Sequence, residues 1–408
     1  MASRSLDSPR AIAAVIVLFA YNGLVVGVYS ASIPILRDKI GFDVIRMAIL
    51  FVVTGIAAVA TMQISGRIAD AYGARRVCLA MVVPLIIAAT GYALVPSYSL
   101  LLVTGVFLGI GNGGIDVAMN ALAVQVETHR LARGKGPIMS FFHGMWAIGC
   151  FTGSFAISIV GTAIGLTSQR TLAVVALTAA GLGFAAWGAA YVLTPDTERV
   201  THTTETGKKA AVPRTAYLMG LMAIAFGLGE GTASDWSGTE VHLVAGVDPR
   251  TAAWAVTAMT ACMVVIRLSG DFLVVRLGRT NLVRAGGAVA AVGYLTASLA
   301  TEFPYLLVGW ALVGLGIGVV APQVYASAGH LAGGRGLAVV VTFGYTTFLV
   351  GPAIIGALVK TIGIHHTMAV PGILLLGLVA IAGLAMRDPS TGKSSRIPTP
   401  VPSEFKKS

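Results

Sequence analysis

Asp116, His143 and Glu230 are ionisable residues that lie within long apolar stretches of this 408-residue chain. A charged side chain in apolar surroundings is costly unless it is paired, so such residues are candidates for binding or proton transfer. Asn112, Asp116 and Asn120 follow a four-residue spacing, which places them within an arc of about 80° on one helix face. Asp116 and His143 are predicted to lie at similar depths, where together they could take up and release protons. Packing by hydrogen bonds to neighbouring helices remains the alternative for both.

A second polar group surrounds Glu230. Ser234 and Ser237 follow it at the four- and seven-residue spacings that share a helix face. Asp235 points away from that face and could be structural. Arg267 is interpreted as an anchor whose long side chain reaches the membrane surface. The remaining binding candidates are aromatic or amide side chains in other apolar stretches, namely Asn22, Tyr29, Trp236 and Gln323, with Tyr325 and Tyr345 weaker.

A charged turn, GRIADAYGARR, at residues 66–76 separates two apolar stretches and recurs imperfectly as SGDFLVVRLGR at residues 269–279. Gly73 matches Gly278 at an offset of 205 residues. The same offset relates two glycine triplets, Gly109, Gly111 and Gly113 with Gly314, Gly316 and Gly318. An internal repeat at half the chain length predicts two duplicated structural units.

Hydrophobic residues make up 56% of the chain and charged residues 11%, which is far from a soluble domain. Twelve apolar stretches of membrane-spanning length are predicted at residues 11–35, 47–65, 77–96, 100–124, 137–160, 171–193, 216–238, 252–268, 282–301, 304–326, 338–360 and 367–386. Segments of about 20 residues indicate helices, because a barrel strand would be about half as long. The prediction is an all-α membrane protein with two pseudo-symmetric six-helix bundles, 11–193 and 216–386. A cytoplasmic tail (1–10), a linker (194–215) and a disordered tail (387–408) complete it.

The basic residues predict the orientation. With the N-terminus in the cytoplasm, 22 of the 28 Lys and Arg residues fall on the cytoplasmic side, as the positive-inside rule requires. Both termini are then cytoplasmic, and the net charge of +11 is explained without nucleic-acid binding. Three cysteines within apolar stretches imply no disulfide framework. No metal site or cofactor is predicted.

The repeated turn and the twelve spans resemble the major facilitator superfamily. GNGGIDVAMNALAVQVE (111–127), PIMSFFHGMWAIG (137–149) and EGTASDWS (230–237) are similar to its YbjJ-like branch. Asp70, at the cytoplasmic edge of its span, could accept hydrogen bonds from a neighbouring helix N-terminus and pair with Arg75 or Arg76 as a latch. The resemblance implies that this turn gates the cytoplasmic side; the alternative is that its charges only anchor a positive-inside loop. Two departures are Ala71, where a basic residue is usual, and Val275 at the position matching Asp70. The implied gating residues are Gly66, Asp70, Gly73, Arg75, Arg76, Asp271, Gly278 and Arg279.

We therefore expect a secondary active transporter of the bacterial plasma (inner) membrane that works by alternating access. Its predicted partners are a small polar or sugar-like solute, protons as the coupling ion and the lipid bilayer, and it is expected to be a monomer. The alternative is a proton-antiporting exporter of drugs or toxic metabolites. An intramembrane enzyme is disfavoured because H-E-x-x-H and G-x-S-x-G motifs are missing from the sequence. A transporter-like sensor is disfavoured because the chain shows no large soluble segment.

Overall fold

The computed structural model describes residues 8–136, 138–192 and 213–386. In that part of the chain, twelve helices are long and apolar enough to cross a membrane, which confirms the predicted number and class. We number them α1 to α12. Their bounds are Pro9–Ile40, Val44–Tyr72, Ala74–Leu94, Tyr98–Ala132, Met139–Ala163, Ser168–Val192, Arg214–Ala245, Pro249–Leu277, Arg279–Leu299, Phe303–Gly329, Val339–Ile362 and Ile364–Ala385.

Four of these spans have further detail. The α12 span comprises the short helix Ile364–Thr367 and the longer helix Ala369–Ala385. The α8 span comprises the short helix Pro249–Ala252 and the longer helix Trp254–Leu277. The α10 and α11 spans lie within one stretch, Phe303–Ile362, that is helical throughout. The predicted linker and the C-terminal tail fall outside the described residues, apart from residues 213–215.

Polar residues in the connections determine where the helices begin and end. The Ser8 hydroxyl accepts a hydrogen bond from the Ala11 amide at 3.3 Å, and Asp43 accepts one from the Arg46 amide at 2.9 Å. Such caps satisfy amide groups that have no partner within the helix. Gly41 ends α1 in the left-handed conformation. Several helices, among them α1, α2, α4 and α7, extend beyond both ends of the apolar stretches identified in the sequence.

The predicted duplication is visible in the backbone. Gly73 has φ 89° and ψ 139° where α2 meets α3, and Gly278 has φ 75° and ψ 155° where α8 meets α9. Positive φ at both positions favours glycine, which lacks a Cβ atom. A Cβ at Gly109 would collide with the Thr54 carbonyl of α2, and one at Gly314 with the Met259 carbonyl of α8. Each half therefore uses the same close approach between its second and fourth helices.

The helix ends lie on two faces. The terminal face holds Pro9, where α1 begins, and the α2–α3 and α8–α9 turns. The opposite face holds the α1–α2 and α7–α8 connections. Between the halves, α5 packs against α8, α2 against the long helix that contains α11, and α1 against α7.

Buried contacts between the halves concentrate toward the opposite face. Thr239 of α7 donates to the Met47 sulfur of α2 at 3.5 Å. The hydroxyls of Ser158 and Thr257 lie 3.0 Å apart between α5 and α8, and all four of these residues are buried. At the terminal face, the hydrogen bond described between the halves joins two exposed residues, Ser140 and Asp271. The halves are therefore closed together at the opposite face.

Candidate functional site

A chain of polar side chains crosses the centre of the molecule. Asn22 of α1 donates from Nδ2 to Oδ1 of Asn112 of α4 at 2.8 Å. The Asn22 Oδ1 atom in turn accepts a hydrogen bond from the Trp146 indole of α5 at 2.7 Å. Asn22 is buried, so both of its amide atoms find partners away from water, as buried polar groups require. Three helices of the first half are thereby fixed to one another.

The chain continues into the second half through Arg267 of α8. Its guanidinium carbon lies 5.3 Å from the centre of the Trp146 ring, which is a cation–π contact. Arg267 Nη2 lies 3.1 Å from Glu230 Oε1 of α7, and the two side chains are 9% and 22% exposed. Arg267 also donates from Nε to the Gly318 carbonyl at 3.4 Å. The half-to-half connection thus ends in an ion pair whose Arg267 side chain is largely shielded from water.

The ion pair lies deep within the helices. Glu230 is about 24 Å from the terminal-face end of α7 at 1.5 Å per residue, close to the helix midpoint. Arg267 is about 15 Å from the end of α8 by the same measure. The interpretation of Arg267 as a surface anchor is therefore wrong. Its low exposure and its partner Glu230 place it in the protein interior, where an arginine cannot lose its proton and must be paired.

Asp116 lies one helical turn from Asn112, toward the terminal face, and is half-buried. Its Oδ1 accepts a hydrogen bond from Asn120 at 3.2 Å, and the same amide donates to the Asp116 carbonyl at 2.8 Å. The predicted grouping of Asn112, Asp116 and Asn120 on one face agrees with these contacts.

His143 does not pair with Asp116 within the described residues. Its ring packs edge-on against Phe19 of α1, with ring centres 5.4 Å apart. Phe19 lies three residues from Asn22 on α1, and Asp116 lies four residues from Asn112 on α4. In both cases the displacement is toward the terminal face. The predicted similarity in depth is consistent with this arrangement, but the two side chains contact different groups: His143 packs against Phe19, and Asp116 accepts from Asn120.

The aromatic candidates are distributed around the centre. Tyr29 is buried, with its ring 5.4 Å from that of Tyr92. Trp236 is 1% exposed and packs against Phe51 of α2 at 5.5 Å. It therefore lies in the closed contact between the halves. Its burial excludes a position at the membrane–water interface.

Three further candidates lie on α10 and α11. Gln323 is half-buried. Tyr325 lies within electrostatic range of Glu230 and Asp116, and Tyr345 within range of Asp116. Aromatic groups of the second half therefore approach the carboxylates of both halves.

A small pocket adjoins the ion pair, with room for about one water molecule. Its wall brings together side chains from α1, α5, α7 and α8, among them Ser30, Trp146, Cys150, Glu230, Ser234 and Thr260. Ser234 therefore shares a surface with Glu230, as its spacing predicts. Buried Ser237 does not line this pocket.

The charged turn has a different arrangement from the predicted latch. Asp70 is exposed, and no ion pair with Arg75 or Arg76 is described for it. Arg75 instead donates to the Ala190 carbonyl at 3.2 Å and to the Tyr191 carbonyl at the end of α6. A cation at a helix C-terminus satisfies carbonyl groups that lack helical partners. Gly66 is half-buried and Arg76 exposed.

The second copy of the turn connects the halves. Asp271 Oδ1 accepts a hydrogen bond from the Ser140 hydroxyl of α5 at 3.1 Å, across the terminal face. Val275, at the position matching Asp70, is 74% exposed. Arg279 is half-buried at the start of α9. The carboxylate of this copy, Asp271, therefore contacts the other half of the protein, whereas the position matching Asp70 holds an exposed apolar residue.

Comparison with known proteins agrees with this architecture. The chain matches the Major Facilitator Superfamily over residues 15–239 and again over residues 215–407. The chain belongs to the major facilitator superfamily. An uncharacterized transporter of Sinorhizobium fredii, y4wD, is 31% identical, with 89% of this chain and 94% of the relative aligned. The membrane protein MosC of Rhizobium meliloti is 28% identical, covering 88% and 86%.

A solved structure supports the fold alone. The nucleoside transporter NupG superposes with a TM-score of 0.68 at 12% sequence identity, and the match covers 92% of this chain and all of that one. As a superfamily transporter, the protein is a multi-pass membrane protein that binds a small-molecule substrate.

Two central residues were not among the sequence candidates. Trp146 was part of a family-like segment, and Arg267 was assigned to the membrane surface. Neither residue type stands out at its position in the sequence. Only a count of charges within the spans could have found Arg267, because a cation so far from a helix end needs a buried partner.

Proposed function

We propose that this superfamily member is a proton-coupled secondary active transporter that moves a small polar metabolite or sugar-like solute by alternating access. The observation that carries the proposal is the Glu230–Arg267 ion pair, 3.1 Å long, at the junction of the two halves. Transporters of this kind place substrate and coupling-ion sites near the membrane midplane.

Protonation of Glu230 would change the junction in a defined way. The ion pair would lose its negative partner, and Arg267 would keep the Trp146 ring and the Gly318 carbonyl as its contacts. A buried cation without a carboxylate is costly. Proton binding would therefore weaken the contact between α7 and α8 and favour a rearrangement of the halves. Each proton that crosses the membrane supplies about 2.3 kcal/mol per 100 mV.

Asp116 is the second proposed coupling residue, since it lies at the same junction with an amide as its described partner. Around it, the amides of Asn112 and Asn120 and the ring of Tyr345 offer hydrogen bonds and an aromatic surface. These groups suit a solute rich in hydroxyls, since hydroxyls need hydrogen-bond partners and ring faces favour stacking.

The orientation and setting are part of the proposal. The positive-inside distribution supports the terminal face as the cytoplasmic one, with both termini inside a bacterial inner membrane. The described state would then be closed on the periplasmic side. Membership of the YbjJ-like branch, a monomeric state, the domain boundaries and the gating role of Asp70 belong to the same proposal.

The first test is a stabilisation screen. Purified protein is heated with sugars, polyols, nucleosides and amino acids, and a compound that raises the unfolding temperature is then used in proteoliposomes with an imposed pH gradient. Glu230→Gln and Asp116→Asn are expected to lose gradient-driven accumulation while retaining exchange without a gradient. Glu302→Gln serves as the matched control, because Glu302 is exposed at the start of α10.

The outcomes separate the alternatives. Full gradient-driven accumulation in both Glu230→Gln and Asp116→Asn would show that the coupling assignment is wrong. Movement of the solute opposite to the proton flux would favour the exporter.

A further inference from the structure

Glu240 is a fully buried carboxylate outside the central site. It lies on α7, about 15 Å beyond Glu230 toward the opposite face, and is 0% exposed. The Trp310 indole of α10 donates to Glu240 Oε2 at 3.1 Å. His365, at the start of α12, places its Nδ1 3.5 Å from Glu240 Oε1. The three side chains, which we call the outer cluster, join three helices of the second half.

The outer cluster is arranged to hold a proton. Glu240 Oε1 and His365 Nδ1 are both buried and face each other, and neither has a hydrogen-bond partner among the described residues. With a proton on the imidazole, the two form an ion pair in the interior. Without it, the carboxylate retains the Trp310 indole and no cation. A buried charge that has lost its counter-charge strongly destabilises its surroundings.

The neighbouring titratable groups are engaged elsewhere or exposed. His242 of α7 bonds to the Val247 carbonyl at 2.7 Å and lies 3.7 Å from Asp38. His366 is exposed and bonds to the Ile362 carbonyl at 3.2 Å. His365 is therefore the cationic partner available to Glu240 among the described residues. On the helices packed there, Tyr294 of α9 bonds to the Gly229 carbonyl, and Glu302, Tyr305 and Lys360 are exposed. Asp235 of α7 is half-buried five residues before Glu240, and it lies within electrostatic range of Tyr29, Tyr92 and Tyr294.

The segment of α7 that carries Glu240 also closes the opposite face. Thr239, the residue before Glu240, contacts Met47 of α2. His242 reaches Asp38 of α1, and Trp236 packs against Phe51 of α2. The outer cluster therefore holds this stretch of α7 against the other helices of the second half, while neighbouring residues of the same stretch contact the first half.

We propose that Glu240 and His365 form a proton-binding site that stabilises closure of the opposite face, so that the pH on that side regulates the transport cycle. Acid would place a proton on His365, complete the ion pair and hold α7 against the first half. Alkali would remove the proton and release that contact. The inference goes beyond the proposed function, because it depends neither on the substrate nor on coupling at Glu230.

Hydrogen–deuterium exchange on the full-length protein in lipid nanodiscs tests the proposal without a substrate. Exchange is followed in residues 36–46 and 243–252, at about pD 5.5 and 7.5, which bracket the range where histidine changes charge. After correction for the chemical exchange rate, we expect the wild type to exchange several-fold more slowly at the lower pD. His365→Gln and Glu240→Gln should each remove that difference.

Two further variants separate regulation from simple packing. His366→Gln is the matched control and should keep the wild-type dependence, because His366 is exposed on the same turn. His365→Lys supplies a cation at both pD values and should exchange slowly at both. The proposal is overturned if the wild type shows no such dependence, if His365→Gln retains it, or if His365→Lys behaves like His365→Gln.

Discussion

The Glu230–Arg267 pair allows a prediction in which the two partners are not equivalent. Glu230→Gln leaves Arg267, 9% exposed, as a buried cation that cannot deprotonate. Arg267→Met leaves Glu230, 22% exposed, as a carboxylate that can become neutral by binding a proton. We therefore expect Glu230→Gln to destabilise the protein more than Arg267→Met does, although both remove the same ion pair.

The magnitude follows from the geometry. Two unit charges separated by 3.1 Å attract each other by about 5 kcal/mol at an effective dielectric constant of about 20. Removal of one partner from a buried pair costs about 3–5 kcal/mol. For Glu230→Gln we expect about 3 kcal/mol, the lower end of the range quoted for buried pairs, because the amide oxygen can still accept from Arg267. Arg267→Met should cost about 1–2 kcal/mol, since the remaining carboxyl can become neutral.

The assay is reversible denaturation of the purified protein in detergent, at neutral pH, for the two single variants and for Glu230→Gln/Arg267→Met. The double variant should recover stability relative to Glu230→Gln, because replacing both partners removes the unpaired charge. The three free energies complete a double-mutant cycle with the wild type. Equal losses in the two single variants, or a double variant no more stable than Glu230→Gln, would refute the reasoning.

Three other predictions follow from local contacts. Gly109→Ala should destabilise the protein by about 1–3 kcal/mol through overpacking, whereas Gly188→Ala, where an added Cβ meets nothing, should be neutral or stabilising by thermal unfolding. Arg75→Met should cost about 1.5 kcal/mol by losing its bonds to the end of α6, while exposed Arg76→Met should change the unfolding free energy by less than about 0.5 kcal/mol. Trp146→Phe keeps the aromatic ring but removes its N–H donor, so substrate-induced stabilisation should fall; an unchanged thermal shift would count against a role for the polar chain.

Much of the architecture follows from local sequence properties. The prediction of twelve helical spans in two duplicated halves was correct. Apolar length and turn residues are local properties of the chain, and the duplication is visible as a repeated pattern of such local features. The equivalence of Gly73 and Gly278 could also be read from the sequence, because positive φ is a local requirement that favours glycine at both turns. The grouping of Asn112 with Asp116 and Asn120 needed only the geometry of one helix.

Pairing between helices is where sequence reasoning failed. Arg75 follows Asp70 closely in the chain, yet it bonds to carbonyls at the end of α6. His143 packs against Phe19, and the predicted partner Asp116 bonds to Asn120. Each polar side chain has several candidate partners at similar depth, and the packing of the bundle decides between them.

The sequence by itself determined that this protein lies in a membrane, how many helices cross it and that its two halves are duplicated. Those properties depend on composition and on the spacing of residues along the chain. Only the tertiary structure decided that Arg267 is buried opposite Glu230 and that Glu240 meets Trp310 and His365. The physical reason is that a buried charge selects its partner in space, and the partners lie on different helices whose relative packing is not fixed by spacing within any one helix.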